Sequence, residues 1–326
     1  MNRRETVLAL LALCVAPRAS IAQQTQRRKP LLGFLISESL SGQKSRIEAL
    51  RAGLRDYGYV EGETMAVELR SADGRYDRLP ALAAELVRLR VDLIVTFGVK
   101  AAVAAKHATT TIPIVIPATA DPIASGLVTS LAQPGGNITG STFFGLEINT
   151  KRLELLKQVV PHVARVALLV NPANASTRPS LLAMRATSEA LKVELHVVAV
   201  STPGELESAF ARLANEKADS IMVLQDTLFA SNASRIAERA ASTRIPSIGN
   251  KEFAEAGGLI GYGASDAELY RRGAYFVDRI LKGANPGELP FERPTQFELV
   301  VNMKTARELG LKIPPSVLLG ADQVID

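Results

Sequence analysis

Short unbroken apolar runs, each followed by an amphipathic stretch, recur from Pro30 onward and restrict the fold more than any other feature. Leu31–Ile36, Leu93–Phe97, Ile114–Pro117, Arg165–Val170 and Ser220–Leu224 are too short for core helices and lack the alternation of a half-wet strand. They read as strands buried on both faces. Between them lie segments with apolar residues three and four apart, such as Ile47, Leu50 and Leu54 within 43–58, or Leu79, Leu82, Leu86 and Leu89 within 78–89. Further helices are expected over 100–108, 151–160, 181–191, 203–215, 231–242, 269–281 and 305–309. Further strands are expected over 64–70, 194–200, 245–248, 259–262 and 297–301. Repeated strand–helix units imply parallel sheets covered on both faces. The pattern starts twice, with LLGFLIS at 31–37 and RVALLVN at 165–171. The expected fold class is therefore α/β, with two doubly wound parallel-sheet lobes of similar size.

The first thirty residues do not belong to this pattern. Arg3 and Arg4 precede a ten-residue apolar run, Val7–Ala16, and Ser20-Ile21-Ala22 supplies small residues for cleavage after Ala22. This is the pattern of a secretory signal peptide, with a run too short to span a bilayer of about 20 residues. Residues 23–30 then form a linker. Leu13 before Cys14 disfavours a lipid anchor, and Arg3-Arg4 leaves both general and twin-arginine export open. Cleavage removes the chain's one cysteine, so the mature protein is expected to hold no disulfide.

Several functions are excluded by what the chain lacks. One Cys and three scattered His leave no Cys–His nucleophile and no Cys/His zinc site. No phosphate loop of the G-x-x-x-x-G-K type and no G-x-S-x-G elbow is present. A net charge of +5 over 326 residues, without basic runs interleaved with aromatics, does not suit nucleic acid. No catalytic residues, cofactor or metal are assigned.

In doubly wound sheets ligands bind beyond the carboxyl ends of the strands. With two lobes face to face, those ends line one cleft. The loops there carry Ser37, Glu38, Ser39, Phe97, Gly98, Thr119, Asp121, Phe143 next to Phe144, Asn171, Gln225, Asp226, Asn250 and Tyr262. Short polar groups with a few aromatics suit a small-molecule site. Each of them serves equally well as a turn or helix cap, so the inference rests on the set.

Asp121-Pro122, Gly126-Leu127-Val128, Ser130-Leu131-Ala132 and the run from Pro134 to Gly140 strongly resemble the ABC-transporter substrate-binding family that includes tryptophan-binding lipoproteins. So do the stretches at 153–161, 165–174, 257–263, 280–319 and 321–326, in order, over essentially the whole mature chain. The resemblance implies a type I periplasmic-binding-protein fold, its lobes joined by three crossovers. Residues 31–143 plus 264–289 would form the first lobe, and 144–263 plus 290–326 the second. It implies a monomeric periplasmic protein that captures a small solute, such as an aromatic or other amino acid or an aromatic acid. The protein would deliver that solute to an ABC permease in the membrane with its ATPase. A ligand-sensing partner of a membrane receptor, or an enzyme on the same scaffold, are the other readings of such a fold. In the transport reading Asp121 and Asp226 pair with a ligand ammonium. Ser37, Ser39, Thr119 and backbone amides hold a carboxylate, and Phe97, Phe143 and Tyr262 stack on the ligand body. The signal reading predicts that mass spectrometry of exported protein finds Gln23 at the N-terminus; a chain still beginning at Met1 would contradict it.

Overall fold

The protein is described here from a computed structural model covering residues 28–143 and 145–326. The signal-peptide reading, most of the linker, Cys14 and Phe144 lie outside these residues.

The first half winds β1 (Leu31–Ile36), α1 (Lys44–Asp56), β2 (Ala66–Ser71), α2 (Leu79–Arg88), β3 (Leu93–Phe97), α3 (Val99–Ala108), β4 (Ile114–Thr119) and β5 (Ile138–Thr142). Its five strands are all parallel, in the order β2-β1-β3-β4-β5. The second half winds α4 (Gly145–Val159), β6 (Arg165–Val170), α5 (Thr177–Leu191), β7 (Glu194–Ala199), α6 (Leu206–Asn215), β8 (Ser220–Val223), α7 (Thr227–Ser231), α8 (Ala233–Ser242), β9 (Ser247–Gly249), α9 (Lys251–Glu255) and β10 (Ile260–Gly263). The chain then crosses back as α10 (Asp266–Leu281), returns through residues 289–297, and ends with β11 (Glu298–Asn302), α11 (Met303–Glu308), α12 (Pro315–Leu319) and β12 (Gln323–Ile325).

The second sheet has seven strands in the order β12-β11-β10-β9-β8-β6-β7. The two lobes are thus less equal than expected. The excess comes from β11, which pairs antiparallel with β10 because it re-enters from the third crossover, and from the short β12 beside it. Short elements escaped the sequence pattern because α7, α9, α12 and β12 have only three to five residues, too few for either repeat to recur twice. The expected helix over 231–242 starts two residues later, as α8 at Ala233, and Asn232 separates it from the preceding α7. The expected helix over 269–281 starts a turn earlier, at Asp266, because Ser265 Oγ caps it by accepting from the Glu268 amide at 3.3 Å.

Each sheet is covered on both faces, as its apolar strands require. In the first lobe Leu35, Ile94 and Ile116 face α2 and α3, while Phe34, Val95 and Phe97 face α1 and α10. In the second lobe Leu168 and Met222 pack on one side of the sheet, and Leu169 and Ile221 on the other. A small cluster of Phe143, Ala264 and Leu269 packs where the crossovers run. No helix among the described residues is long and apolar enough to cross a membrane.

Helix α10 is fastened to the first lobe by close backbone approach to α1. A Cβ on Gly53 would stand 2.3 Å from the Arg271 carbonyl oxygen and 2.9 Å from Ala274 Cβ. Only glycine permits this separation. Gly53→Ala should therefore push the helices apart and lower stability by about 1–3 kcal/mol, the usual cost of overpacking. Unchanged chemical unfolding of that variant would contradict the packing described.

Candidate functional site

Two topological switch points face each other across the molecule. In the first sheet the winding reverses between β1 and β3, and in the second between β6 and β8. Such points leave a crevice at the strand ends. The residues just beyond them are Ser37, Gly98, Asn171 and Gln225-Asp226. All but Ser37 line a crevice with a volume of about 50 Å³.

On the first lobe the crevice is lined by the N-terminus of α3. Gly98 takes φ +105° to turn β3 into that helix. The first-turn amides of a helix lack intrahelical acceptors. The Ala101 amide donates to Ser37 Oγ at 3.2 Å, which leaves the Val99 and Lys100 amides toward the crevice. Thr119 lines the same wall, and its Oγ1 is buried without a hydrogen-bond partner among the described residues. The Lys100 ammonium lies 3.4 Å from the Tyr76 ring centre. Burial lowers its pKa, against the pull of Asp226 and Glu38.

On the second lobe the central group is Asp226. Its carboxylate accepts from Asn171 Nδ2 at 3.2 Å, Asn174 Nδ2 at 2.7 Å and the Leu228 amide at 2.8 Å, so it caps α7. Burial raises its pKa despite these donors. No cation pairs with it directly among the described residues; Lys100 acts on it only through space. Apolar walls come from Ala118, Ala120, Phe143, Ala173 and Tyr270.

The floor is a buried charge network. Arg46 on α1 forms an ion pair with Asp266, its Nε donating at 3.0 Å, and its Nη1 donates to Gln43 at 3.2 Å. Burial opposes the Arg46 charge, but Asp266 reverses this and raises its pKa. Asp266 also meets the second lobe. Gln225 Nε2 donates to its Oδ1 at 3.4 Å, and its own amide donates to Glu252 Oε1 at 2.7 Å. Arg152, fully buried, donates to the Tyr262 carbonyl at 2.8 Å and to Gln225 at 3.5 Å. Burial lowers its pKa to about 10. The lobes also touch where Gln43 donates to Ser231 at 2.8 Å. A Cβ on Gly98 would stand 3.0 Å from Thr227 Oγ1, and one on Gly42 would stand 2.6 Å from Ser231 Cβ. The structure is a closed form.

Of the residues expected from the sequence, Gly98, Thr119, Phe143, Asn171, Gln225 and Asp226 line the crevice. The others stand elsewhere. Phe97 shares the sheet face of Leu93 and Val95 and is buried in the core, stacked on Tyr270 at 5.1 Å. Ser37 caps α3, and Ser39 accepts from the Gly42 amide at 3.3 Å. Glu38 is buried behind Tyr76, whose hydroxyl donates to it at 2.5 Å; burial raises its pKa. Asp121 accepts from the Ile123 and Ala124 amides, both at 2.9 Å, in a neighbouring hollow. Asn250 caps α9, and the Tyr262 ring packs on Phe297.

Sequence reading missed Arg46, Tyr76, Lys100, Asp266 and Tyr270 in the lining, and Arg152 and Glu252 beneath it. A usable signal existed for one of them. Arg46 lies four residues before Leu50 on the apolar stripe of its helix, where a charge implies a buried partner.

Glu252 makes the network pH-sensitive. Burial first, and then the Asp266 carboxylate, raise its pKa above the ordinary value of 4.5. A raised acid contributes stability that is full below its unfolded pKa and is lost as pH rises through the folded one. Glu252→Gln, neutral throughout, should therefore gain stability relative to the native protein as pH rises. Melting temperatures of both from about pH 5 to about pH 9 should diverge; parallel curves would remove Glu252 from this role.

Residues 38–325 match the family described as ABC transporter substrate binding protein. A tyrosine-binding protein of Clostridioides difficile (strain R20291) is 27% identical over 261 residues, covering 79% of this chain and 74% of that protein. Among solved structures, an ABC domain from Streptococcus pneumonia in complex with L-Trp superposes with a TM-score of 0.84 at 26% identity, covering 91% of this chain and 100% of that one. A conserved domain protein from Vibrio cholerae gives the same score, identity and coverage. The facing switch points, the three crossovers and the match over nearly the whole described chain agree, and the protein belongs to the ABC transporter substrate-binding family.

Proposed function

We propose that this chain is the extracytoplasmic receptor of an ABC importer and that it captures an α-amino acid with an apolar or aromatic side chain. It would present the closed, loaded form to a membrane permease driven by an ATPase, and release the solute unchanged. In this reading residues 31–143 with 264–289, and 144–263 with 290–326, move as two bodies about the crossovers.

The observation that carries the reading is the division of charge across the crevice. The first lobe offers donors: the Val99 and Lys100 amides at a helix N-terminus, the Lys100 ammonium and the unpartnered Thr119 hydroxyl. Together they suit a carboxylate. The second lobe offers Asp226, a buried carboxylate with no cation paired to it directly among the described residues, which suits an ammonium. A zwitterion answers both and pulls the lobes together. Tyr270, Phe143 and the alanines supply the surface for an apolar side chain. The tyrosine-binding relative and the L-Trp complex support the same class.

The test is calorimetric titration of protein freed of solute by unfolding and refolding. Tryptophan, tyrosine and leucine would be compared with indole-3-propionate, which lacks the amino group. Asp226→Ala should weaken amino-acid binding by about 1.5–3 kcal/mol, the worth of a charged hydrogen bond, and leave the des-amino acid unaffected. Equal losses for both ligands would show that Asp226 shapes the crevice without meeting an ammonium.

A further inference from the structure

We propose that the solute is longer than the crevice. Its polar head would lie between Asp226 and the N-terminus of α3, and an apolar arm would pass Tyr76 and Lys100 into a groove between α2 and α3. The head follows the amino-acid reading above; the arm rests on separate observations.

The first is volume. Ligand sites of small molecules usually occupy about 300–1,000 Å³. The closed crevice offers about 50 Å³, whereas the groove offers about 550 Å³. The second is continuity. Tyr76, Val99, Lys100 and Ala173 line both spaces, so the two adjoin, and the Tyr76 and Lys100 side chains stand where they meet. The third is chemistry. Beyond Tyr76 the groove walls are Leu79, Pro80, Ala84, Val103 and Ala104, with His107 at the rim. That is a surface for hydrocarbon or an aromatic ring, with no carboxylate on it.

The partition is movable. Tyr76 is fixed from behind by Glu38, at 2.5 Å, but Lys100 holds its place over the ring by a cation–π contact and makes no ion pair among the described residues. A ligand carboxylate at the start of α3 attracts the ammonium off the ring, since a charged partner outweighs a ring face. The lysine's flexible stem allows the swing. Head binding thereby opens the way for the arm. Closure then covers it, because Ala173 and Ala175 of the second lobe form the roof, on the loop whose Asn171 and Asn174 hold Asp226.

The experiment compares L-tyrosine with O-benzyl-L-tyrosine, which share the head and differ by one apolar arm, by calorimetry on the full mature chain. O-benzyl-L-tyrosine should bind at least about tenfold more tightly, the usual return on added apolar contact. Val103→Trp, which fills the groove, should abolish that advantage and leave the tyrosine affinity unchanged; Ala84→Phe, on the opposite wall, should do the same and covers the case in which the first variant does not fold. If tyrosine binds and the benzyl ether binds no better, or if folded groove-filling variants retain its advantage, the arm site is overturned while the amino-acid reading stands. If neither ligand binds, the head reading fails and the proposal falls with it.

Discussion

The ion pair between Arg46 and Asp266 ties the architecture together. Both groups are buried, and two ions taken from water cost several kcal/mol each before their attraction is counted. Replacing such a pair by apolar side chains often costs no stability. Its contribution here is positional. Asp266 is the first residue of α10, where a helix N-terminus favours a carboxylate. One oxygen binds Arg46 on the first lobe, the other receives Gln225 from the second, and its amide reaches Glu252. A single residue beside the second crossover therefore senses both lobes. Arg152, bonded to Gln225, and Glu252, bonded to the Asp266 amide, extend the network into the second lobe.

Around that network the two sheets are independent. Each has its own apolar layers, and a small cluster at Phe143, Ala264 and Leu269 packs where the crossovers run. In the proposed function the two lobes rotate about this connection to close on the solute. In that reading, the division of charge couples motion to binding. With donors on one lobe and a lone carboxylate on the other, a zwitterion finds all its partners only when the lobes meet. A ligand shifts such an equilibrium only by its differential affinity for the two states, and a crevice split in this way supplies that difference. Gly42 and Gly98, which admit Ser231 and Thr227 to close contact, allow the surfaces to meet.

The fold was legible because strands buried on both faces cannot be disguised: Leu93–Phe97 and Arg165–Val170 stand where the sequence places them. Half of the site was legible for a related reason. Gly98, Asn171, Gln225 and Asp226 follow strand ends directly, and topology puts strand ends at the cleft. Asp121 and Asn250 follow strand ends too, but accept from amides two and three residues further on. Local capping and ligand binding use the same chemistry, so sequence cannot separate them. The charged floor was hidden for a different reason. Arg46 and Asp266 are 220 residues apart, and neither has a meaning without the crossover that joins them.

The central claim is that solute binding draws two lobes into the closed arrangement described. Small-angle X-ray scattering on mature protein, before and after saturation with its tightest amino-acid ligand, tests it most directly. The account predicts a smaller radius of gyration on saturation and a final curve matching the closed structure. Binding seen by calorimetry with no change in scattering would contradict it.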